Sequence, residues 1–321
     1  MGMDFVSLGE VMIQLNPLTP GPLRTVTLFE RHVAGAEANV MIGLTRLGYK
    51  TGFITRVGKD EFGILIVNTL RSEGVDVSCV KVDEEAPTGI YFVQRHYPVP
   101  GKSTVFYYRK GSAASRISEE DIDEEYVKNF SFLYLTGITP ALSESCNRAV
   151  NKIYGLAMKY GLKTVFDTNI RLKLWESGVR AAKTIEPYLR SDIVFSNVED
   201  LGVLFPGFSV NEAVQKILDK GAEVVVVKLG EKGACAFTKF KKAEAPAFKT
   251  PVVEDVIGAG DAFNSAFLAS YLKGFPLEEC LRLGNAAGAL VVCVRGDIEA
   301  LPRWEDLEVF LESKKRNMLL R

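Results

Sequence analysis

Short apolar segments alternate with amphipathic stretches of helical length from about residue 133 onward. The apolar runs occupy 132–135, 164–166, 193–195 and 224–227, and helical patterns fill 143–160 and 179–189. Continuous apolar runs rich in valine are typical of strands buried on both faces of a parallel sheet. The pattern therefore predicts an α/β fold with a mainly parallel central sheet.

Two segments, about 10–33 and 87–110, lack helical periodicity and carry β-forming residues. The second segment contains apolar runs at 90–93 and 104–108, separated by a Pro- and Gly-containing turn, which predicts a hairpin. Neither segment fits easily into a parallel core sheet. We therefore predict a small separate β-sheet, a lid, inserted in a single domain that spans the chain.

Composition narrows the classes of function. The chain has 321 residues, 47% of them hydrophobic, and its 39 basic and 40 acidic side chains leave a formal net charge of −1. This balance gives no electrostatic support for nucleic acid or a membrane as partner. Five scattered cysteines and two histidines support neither a zinc site nor a Ser-His-Asp hydrolase. With no targeting pattern at the start of the sequence, we expect a cytoplasmic location.

The strongest chemical signal is the segment 255–263, which precedes an apolar helix predicted at 264–272. Small residues before a helix let its free N–H groups approach a ligand closely, and the helix dipole favours a negative charge there. Phosphate is the expected ligand. The residues alone leave two roles open for Asp261, a reactive carboxylate or an acid that only stabilises the helix.

Two short motifs resemble the signatures of a known family. The sequence Gly-Ala-Gly-Asp at 258–261 resembles the C-terminal signature of the ribokinase-like (PfkB) carbohydrate kinases, and 34–39 resembles their N-terminal signature. The similarity extends over essentially the whole chain. It implies a three-layer α/β/α fold, ATP and Mg²⁺ as cofactors, and Asp261 as the base that deprotonates a sugar hydroxyl. The implied anion hole consists of backbone N–H groups of Ile257, Gly258, Ala259 and Gly260.

The resemblance also implies a nucleotide site. The residues it assigns to ATP are Asn169, Arg171, Asn197, Lys228, Gly230, Gly233, Gly258 and Gly260. Asn197 begins the family's Asn-x-x-Glu element, whose fourth position here is Asp200. Glu199 is adjacent, so either acid could contact magnesium through a bridging water. No residue is assigned as a direct metal ligand. A second departure is Ile257, where many relatives carry threonine.

Three segments, 107–115, 167–175 and 294–302, resemble the 2-keto-3-deoxygluconate kinases within this family. That substrate is a sugar acid, and a planar guanidinium binds a carboxylate bidentately. Alternation along the hairpin strand puts Tyr107 and Arg109 on one face. The predicted substrate-binding residues are Gly35, Ala36, Asn39, Tyr91, Tyr107, Arg109, Arg171, Asp261 and, at the pocket edge, Asp297.

The sequence therefore predicts a kinase that phosphorylates the primary hydroxyl of 2-keto-3-deoxygluconate to the 6-phosphate, and it leaves open whether the galactonate epimer is also a substrate. The alternatives are a kinase for a neutral sugar, such as fructose or ribose, or for a nucleoside, and a non-catalytic sugar-binding protein. A protruding sheet with apolar residues on its second face also predicts a homo-oligomer formed through the lid.

Overall fold

The computed structural model describes residues 2–319, in which one large sheet forms the centre of the molecule. Its strands lie in the order β13-β12-β11-β10-β9-β8-β1-β4-β5. All neighbours from β5 to β11 are parallel, and β12 and β13 add antiparallel pairs at one edge. The strands are β1 (Met3–Leu8), β4 (Thr51–Gly58), β5 (Val80–Asp83), β8 (Phe130–Thr136), β9 (Lys163–Asp167), β10 (Ile193–Asn197), β11 (Val224–Lys228), β12 (Ala234–Phe237) and β13 (Lys242–Ala245).

Helices cover both faces of this sheet. Successive residues of β1 point into different cores, with Phe5 in one and Val6 in the other. This is the alternation expected of a strand buried on both sides. One core joins the sheet to α1 (Ala36–Arg46), α2 (Glu61–Ser72), α8 (Ala259–Leu272), α9 (Leu277–Val291) and α10 (Trp304–Leu319). The other joins it to α4 (Glu144–Tyr160), α5 (Gly178–Ile185), α6 (Val198–Leu204) and α7 (Val210–Asp219), near the short α3 (Glu124–Val127).

A second, four-stranded sheet lies apart from the large one, in the order β3-β2-β6-β7. Its strands are β2 (Met12–Pro17), β3 (Phe29–Ala34), β6 (Ile90–Arg95) and β7 (Ser103–Tyr108). β6 and β7 form the predicted antiparallel hairpin, with Tyr91 opposite Tyr107. The predicted fold, a mainly parallel sheet between helices with a small accompanying sheet, is confirmed. The description of the chain as one domain with two inserted lid segments stays a prediction.

The topology gathers loops at one edge of the large sheet. Parallel strands end at the same edge, and open α/β sheets bind ligands there. The chain leaves β1 into the small sheet, and α8 begins beside the ends of β9 to β11. Helix α8 starts at Ala259, five residues earlier than predicted, because the small residues 259 and 260 already belong to its first turn. No helix within residues 2–319 is both long and apolar enough to cross a bilayer.

Candidate active site

A cleft of about 500 Å³ separates the ends of the parallel strands from the inner face of the small sheet. Most of the predicted site residues meet here, although they come from distant parts of the chain. Those lining it are Gly35, Ala36, Tyr91, Tyr107, Arg109, Asn169, Arg171, Asn197, Lys228, Gly230, Ile257, Gly258, Gly260, Asp261 and Asp297, together with Glu199. Asn39 lies directly behind them, bonded to Asp261.

The start of α8 forms the anion-binding part of the cleft. Gly258 caps the helix at a φ of 79°, a left-handed conformation that favours glycine. A Cβ there would also approach the backbone of Asp297 to 3.1 Å. The N–H of Ile257 donates to Asp255 Oδ1 at 3.2 Å. Ile257 is therefore engaged as a donor, which leaves the N–H groups of Gly258, Ala259 and Gly260 as the remaining members of the predicted anion hole.

Two carboxyl groups share one amide at the base of the cleft. Asn39 Nδ2 donates to Oδ2 of Asp261 at 2.8 Å and to Oδ2 of Asp297 at 3.1 Å. Asn39 is itself fixed, since its Oδ1 accepts the N–H of Gly35 at 3.2 Å. Asp297 was predicted at the pocket edge, and the structure corrects this. It is only 4% exposed and lies beside the predicted base.

The ionisation of this pair follows from burial and proximity. Burial raises the pKa of Asp261 to about 7, against the opposing hydrogen bond from Asn39 and the charge of Lys228. Burial, followed by the negative charge of Asp261, raises the pKa of Asp297 to about 8. Neighbouring carboxyl groups resist double ionisation, so the pair gives up its second proton only at a raised pH. A base with a pKa near neutrality is suited to accept a hydroxyl proton.

The small sheet supplies the opposite wall. Tyr91 is 3% exposed and Tyr107 is 36% exposed, and their ring centroids lie 5.6 Å apart. The guanidinium of Arg109 lies 5.2 Å from the ring centroid of Tyr107, within cation–π range. Nε of Arg109 donates to Glu10 Oε2 at 2.6 Å, and Nη2 pairs with the same oxygen. Arg109 therefore lines the cleft as predicted but is already held by a carboxylate that the sequence analysis did not assign.

Glu10 is in turn fixed from several sides. Its second oxygen accepts the hydroxyl of Ser112 at 2.5 Å. A Cβ on Gly89 would come within 2.6 Å of that oxygen, and one on Gly35 would lie 2.4 Å from the Glu10 carbonyl oxygen. These close approaches explain why small residues surround it. The buried ion pair with Glu10 holds the Arg109 guanidinium in place at the cleft. Loss of either partner would leave an uncompensated buried charge.

The ends of β9 and β11 meet under the start of α8. Lys228 Nζ donates to Asp167 Oδ2 at 2.7 Å and to Asn264 Oδ1 at 3.2 Å. Asn264 Nδ2 returns a bond to Asp167 Oδ2 at 2.6 Å. This network places a cation close to Gly260, where a Cβ would lie 3.6 Å from Nζ. Lys228 therefore contributes positive charge to the anion-binding end of the cleft.

The structure separates the two acids that follow Asn197. Asp200 is 5% exposed, and its Oδ2 accepts the hydroxyl of Thr168 at 2.6 Å and the N–H of Ile170 at 3.0 Å. Burial raises its pKa, and its role is to hold the loop that presents Asn169 and Arg171. Glu199 lines the cleft. Of the two acids, Glu199 is therefore the one whose side chain is accessible from the cleft.

An apolar cavity of about 340 Å³ adjoins the cleft on the far side of α8. It shares Lys228, Gly230 and Gly260 with the cleft, so a single ligand could extend through both. Two predicted residues that do not line the cleft, Gly233 and Ala259, line this cavity together with Phe248, Phe263, Asn285 and Val292. A flat apolar group linked to phosphates fits this arrangement.

Four buried polar residues at or behind the cleft received no role from the sequence: Glu10, Gln14, Glu37 and Asp167. Asp167 had a usable signal, because it ends a buried parallel strand where ligands collect. Glu37 accepts the hydroxyls of Thr136 and Thr139, both at 2.6 Å, and burial raises its pKa. The sequence feature that could have indicated a role for Glu37 is its position in the first turn of α1, two residues before Asn39.

The fold and the site together define a phosphotransferase, with an acid at an anion-binding helix between a polar cleft and an apolar cavity. The profile of the "pfkB family carbohydrate kinase" matches residues 3–304. The chain therefore belongs to the pfkB family of carbohydrate kinases.

Individual relatives cover nearly the whole chain. A 2-dehydro-3-deoxygluconokinase of Thermoproteus tenax is 47% identical over 97% of this chain and 95% of its own length. A 5-dehydro-2-deoxygluconokinase of Clostridium perfringens is 32% identical over 97% and 94%. A solved Escherichia coli structure, described as a putative ribokinase II in complex with ATP and Mg²⁺, has a TM-score of 0.90 at 26% identity, over 97% of this chain and 99% of that one. The prediction of a carbohydrate kinase is confirmed.

Proposed function

We propose that the protein transfers the γ-phosphoryl group of ATP to the primary hydroxyl of 2-keto-3-deoxygluconate, giving the 6-phosphate. The observation that carries this proposal is Arg109, a nearly buried cation in the wall that faces Asp261. A guanidinium forms a charge-assisted pair with the carboxylate of a sugar acid, whereas a neutral sugar offers it no opposite charge. The similarity to the Thermoproteus enzyme supports the same substrate, which is also called 2-dehydro-3-deoxygluconate.

Within this proposal the sugar lies lengthwise in the cleft. Its carboxylate binds Arg109, aided by the hydroxyls of Tyr91 and Tyr107, and its far hydroxyl lies beside Asp261. Gly35 and Ala36 allow the sugar to approach the backbone closely. Asn39 fixes Asp261, and Asp297 offers an oxygen to a sugar hydroxyl. Arg171, at the end of β9, reaches either the sugar or the transferred phosphoryl group.

ATP then occupies the far side of α8. The adenosine fits the apolar cavity beside Gly233, and the phosphates extend past Gly230 and Lys228 to the start of α8. Asp261 accepts the hydroxyl proton, and the N–H groups of Gly258 to Gly260 stabilise the charge of the moving phosphoryl group. Positioning and electrostatics supply most of the catalysis in such transfers.

Magnesium fits the residues beside the phosphate path. Glu199 offers a carboxylate to the cleft, and Asn197 and Asn169 lie nearby with amide oxygens, the hard ligands that Mg²⁺ prefers. When bound, the ion compensates the charge of the ATP phosphates. Activity should therefore disappear in excess chelator and return when Mg²⁺ is added. Full turnover without a divalent metal would contradict this assignment.

A substrate panel tests the proposed function directly. Release of ADP should be measured with 2-keto-3-deoxygluconate, its galactonate epimer, 5-keto-2-deoxygluconate, fructose, ribose and a nucleoside. The expected order places 2-keto-3-deoxygluconate first, with its epimer accepted. The relative from Clostridium makes 5-keto-2-deoxygluconate the strongest acidic competitor. A preference for fructose, ribose or the nucleoside would overturn the assignment to sugar acids, and absence of turnover would favour a binding protein.

The outer face of the small sheet supports the proposed homo-oligomer. Phe29, Phe92 and Tyr108 form edge-to-face contacts on it, and Tyr108 is 66% exposed. Such a patch is typical of a surface that pairs with another copy. The mass in solution should be a multiple of the chain mass, and Tyr108→Glu should shift it towards the monomer. An unchanged mass for this variant would exclude the lid as the interface.

A further inference from the structure

Gln14 connects the two walls of the cleft from behind. It lies in β2 and is fully buried. Its Nε2 donates to the hydroxyl oxygen of Tyr91 at 2.9 Å and to Oδ1 of Asp297 at 3.0 Å. One amide thus contacts a residue of the small sheet and a residue beside the catalytic base, although it does not line the cleft.

The two hydrogens of this amide nitrogen account for both contacts. A primary amide nitrogen carries two N–H donors, and Tyr91 and Asp297 each take one. Asp297 receives a second amide on its other oxygen, from Asn39 at 3.1 Å. Its carboxyl group is therefore fixed between a donor from the small sheet and a donor from α1.

The bond to Gln14 determines what Tyr91 can do in the cleft. A phenolic hydroxyl accepts on its oxygen and donates its single hydrogen. Because the oxygen accepts from Gln14, the hydrogen is free to point at a ligand, and the residue lines the cleft. A ketone or carboxylate oxygen can only accept, so it matches this hydrogen.

We propose that Gln14 is a positioning residue that turns the Tyr91 hydroxyl into a donor for the keto-acid end of the substrate. The same amide nitrogen also donates to Asp297 Oδ1, which fixes that carboxyl group beside Asp261. This inference rests on the proposed function, since it takes a 2-keto sugar acid as the substrate. Gln14 Oε1 has no hydrogen-bond partner within residues 2–319, which indicates that its N–H groups carry its role.

Two variants distinguish the effect of the Gln14 N–H donors from the effect of the shape of its side chain. Gln14→Met keeps the length and removes both N–H groups. Gln14→Glu keeps the shape but presents an acceptor, which takes the Tyr91 hydrogen away from the cleft and removes the N–H donor to Asp297 Oδ1. We expect kcat/KM for 2-keto-3-deoxygluconate to fall about 10- to 100-fold in each variant, mainly through KM for the sugar, while KM for ATP stays within about twofold.

The decisive measurement is a double-mutant cycle with Tyr91→Phe. In the wild type this substitution should cost about 10-fold or more in kcat/KM, and in Gln14→Glu less than about threefold, because the hydrogen no longer faces the sugar. Gln94→Met is the matched control. Gln94 is a buried glutamine of β6 whose amide, among residues 2–319, hydrogen-bonds only to the backbone of Leu23 and Tyr97, so this variant should retain activity within about twofold.

Three results distinguish failure of this inference from failure of the proposed function. If the wild type does not phosphorylate 2-keto-3-deoxygluconate, the proposed function fails first. If it does, but Gln14→Glu retains wild-type kcat/KM, Tyr91 does not need a donor behind it and the inference is overturned. Additive losses in the cycle, with thermal unfolding unchanged, would overturn it too, because Gln14 and Tyr91 would then act independently.

Discussion

The two walls of the cleft are built in different ways. The wall formed by α8 and the strand ends consists of backbone N–H groups and of side chains that follow directly from short contiguous motifs, such as 258–261. The wall formed by the small sheet consists of side chains brought together by antiparallel pairing, such as Tyr91 opposite Tyr107. The first wall suits phosphoryl transfer to any hydroxyl, and the second suits recognition of one class of sugar.

The largest expected effect concerns the wall that carries the chemistry. Asp261→Asn should lower kcat by on the order of a hundred- to ten-thousandfold, because the amide cannot accept the hydroxyl proton. The fold and ATP binding should stay nearly intact, since Asn39 can still donate to the new side-chain oxygen. Steady-state kinetics and nucleotide titration check both parts. Turnover near that of the wild type would end the assignment of Asp261 as the base.

The second-largest expected effect concerns the wall formed by the small sheet. Arg109→Ala should reduce kcat/KM for the sugar acid by on the order of 30- to several-thousandfold, as expected for loss of one partner of a desolvated charge pair. A neutral analogue with an amide or alcohol in place of the carboxylate should lose much less. Arg109→Lys should recover only part of the activity, because an ammonium lacks the planar fork.

Glu10 complicates the reading of that variant, because Arg109→Ala also leaves a buried carboxylate unpaired. Glu10→Gln is the matched control, since it keeps the hydrogen-bonding shape and frees Arg109 of its partner charge. If acid and neutral substrates lose the same factor in Arg109→Ala, Arg109 shapes the wall and does not recognise charge. The assignment to sugar acids would then lose its main physical support.

The buried carboxyl group of Asp261 should also make the protein less stable at high pH. The pKa of Asp261 is raised on folding from 3.8 to about 7, so the stability linked to its bound proton is fully present below about pH 4 and is lost as pH rises through 7. Asp261→Asn stays neutral at every pH. It should raise Tm by roughly 2–6 °C at pH 8 and hardly at all at pH 4. Calorimetry without ligands at both pH values checks the sign, which an equal shift would contradict.

The smallest effect concerns the contact between the two walls. Ile257 packs against the inner face of the small sheet, beside Met12, Tyr91 and Val105. This contact is a physical reason for an apolar residue at position 257. Ile257→Thr should raise KM for the sugar about two- to fivefold, because part of the apolar contact is lost. Val294→Thr, on an exposed loop, should have no effect, and equal changes in both variants would exclude a role for this contact.

The wall formed by α8 and the strand ends was predicted from the sequence more completely than the wall formed by the small sheet. The anion-binding helix start and the strand ends depend on residues close in sequence, so periodicity and the glycines of 258–261 were sufficient. Glu199 and Asp200 could not be separated, because neighbouring residues on a helix point about 100° apart and the choice depends on where α6 begins. With Asn197 as the cap, Glu199 lines the cleft and Asp200 is buried.

Side-chain partners across the small sheet were harder to predict. Tyr107 and Arg109 followed from alternation along one strand. The bond between Arg109 and Glu10 joins residues 99 positions apart, and nothing local indicates which acid reaches a given guanidinium. The N–H of Ile257 was counted as free because the bond from Asp255, two residues earlier, depends on the exact shape of the loop.

The long sequence separation between the two walls has a consequence for synthesis of the chain. Asn39 and Asp261 are 222 positions apart, and Gln14 and Asp297 are 283 positions apart. Protein chains emerge from the ribosome N-terminus first, and early segments begin to fold before later ones exist. The small sheet and most of the parallel strands can therefore assemble while the base and its anion site are still unmade. A nascent chain acquires the ability to consume ATP only after most of its residues have been translated, so its synthesis itself keeps unfinished molecules inactive.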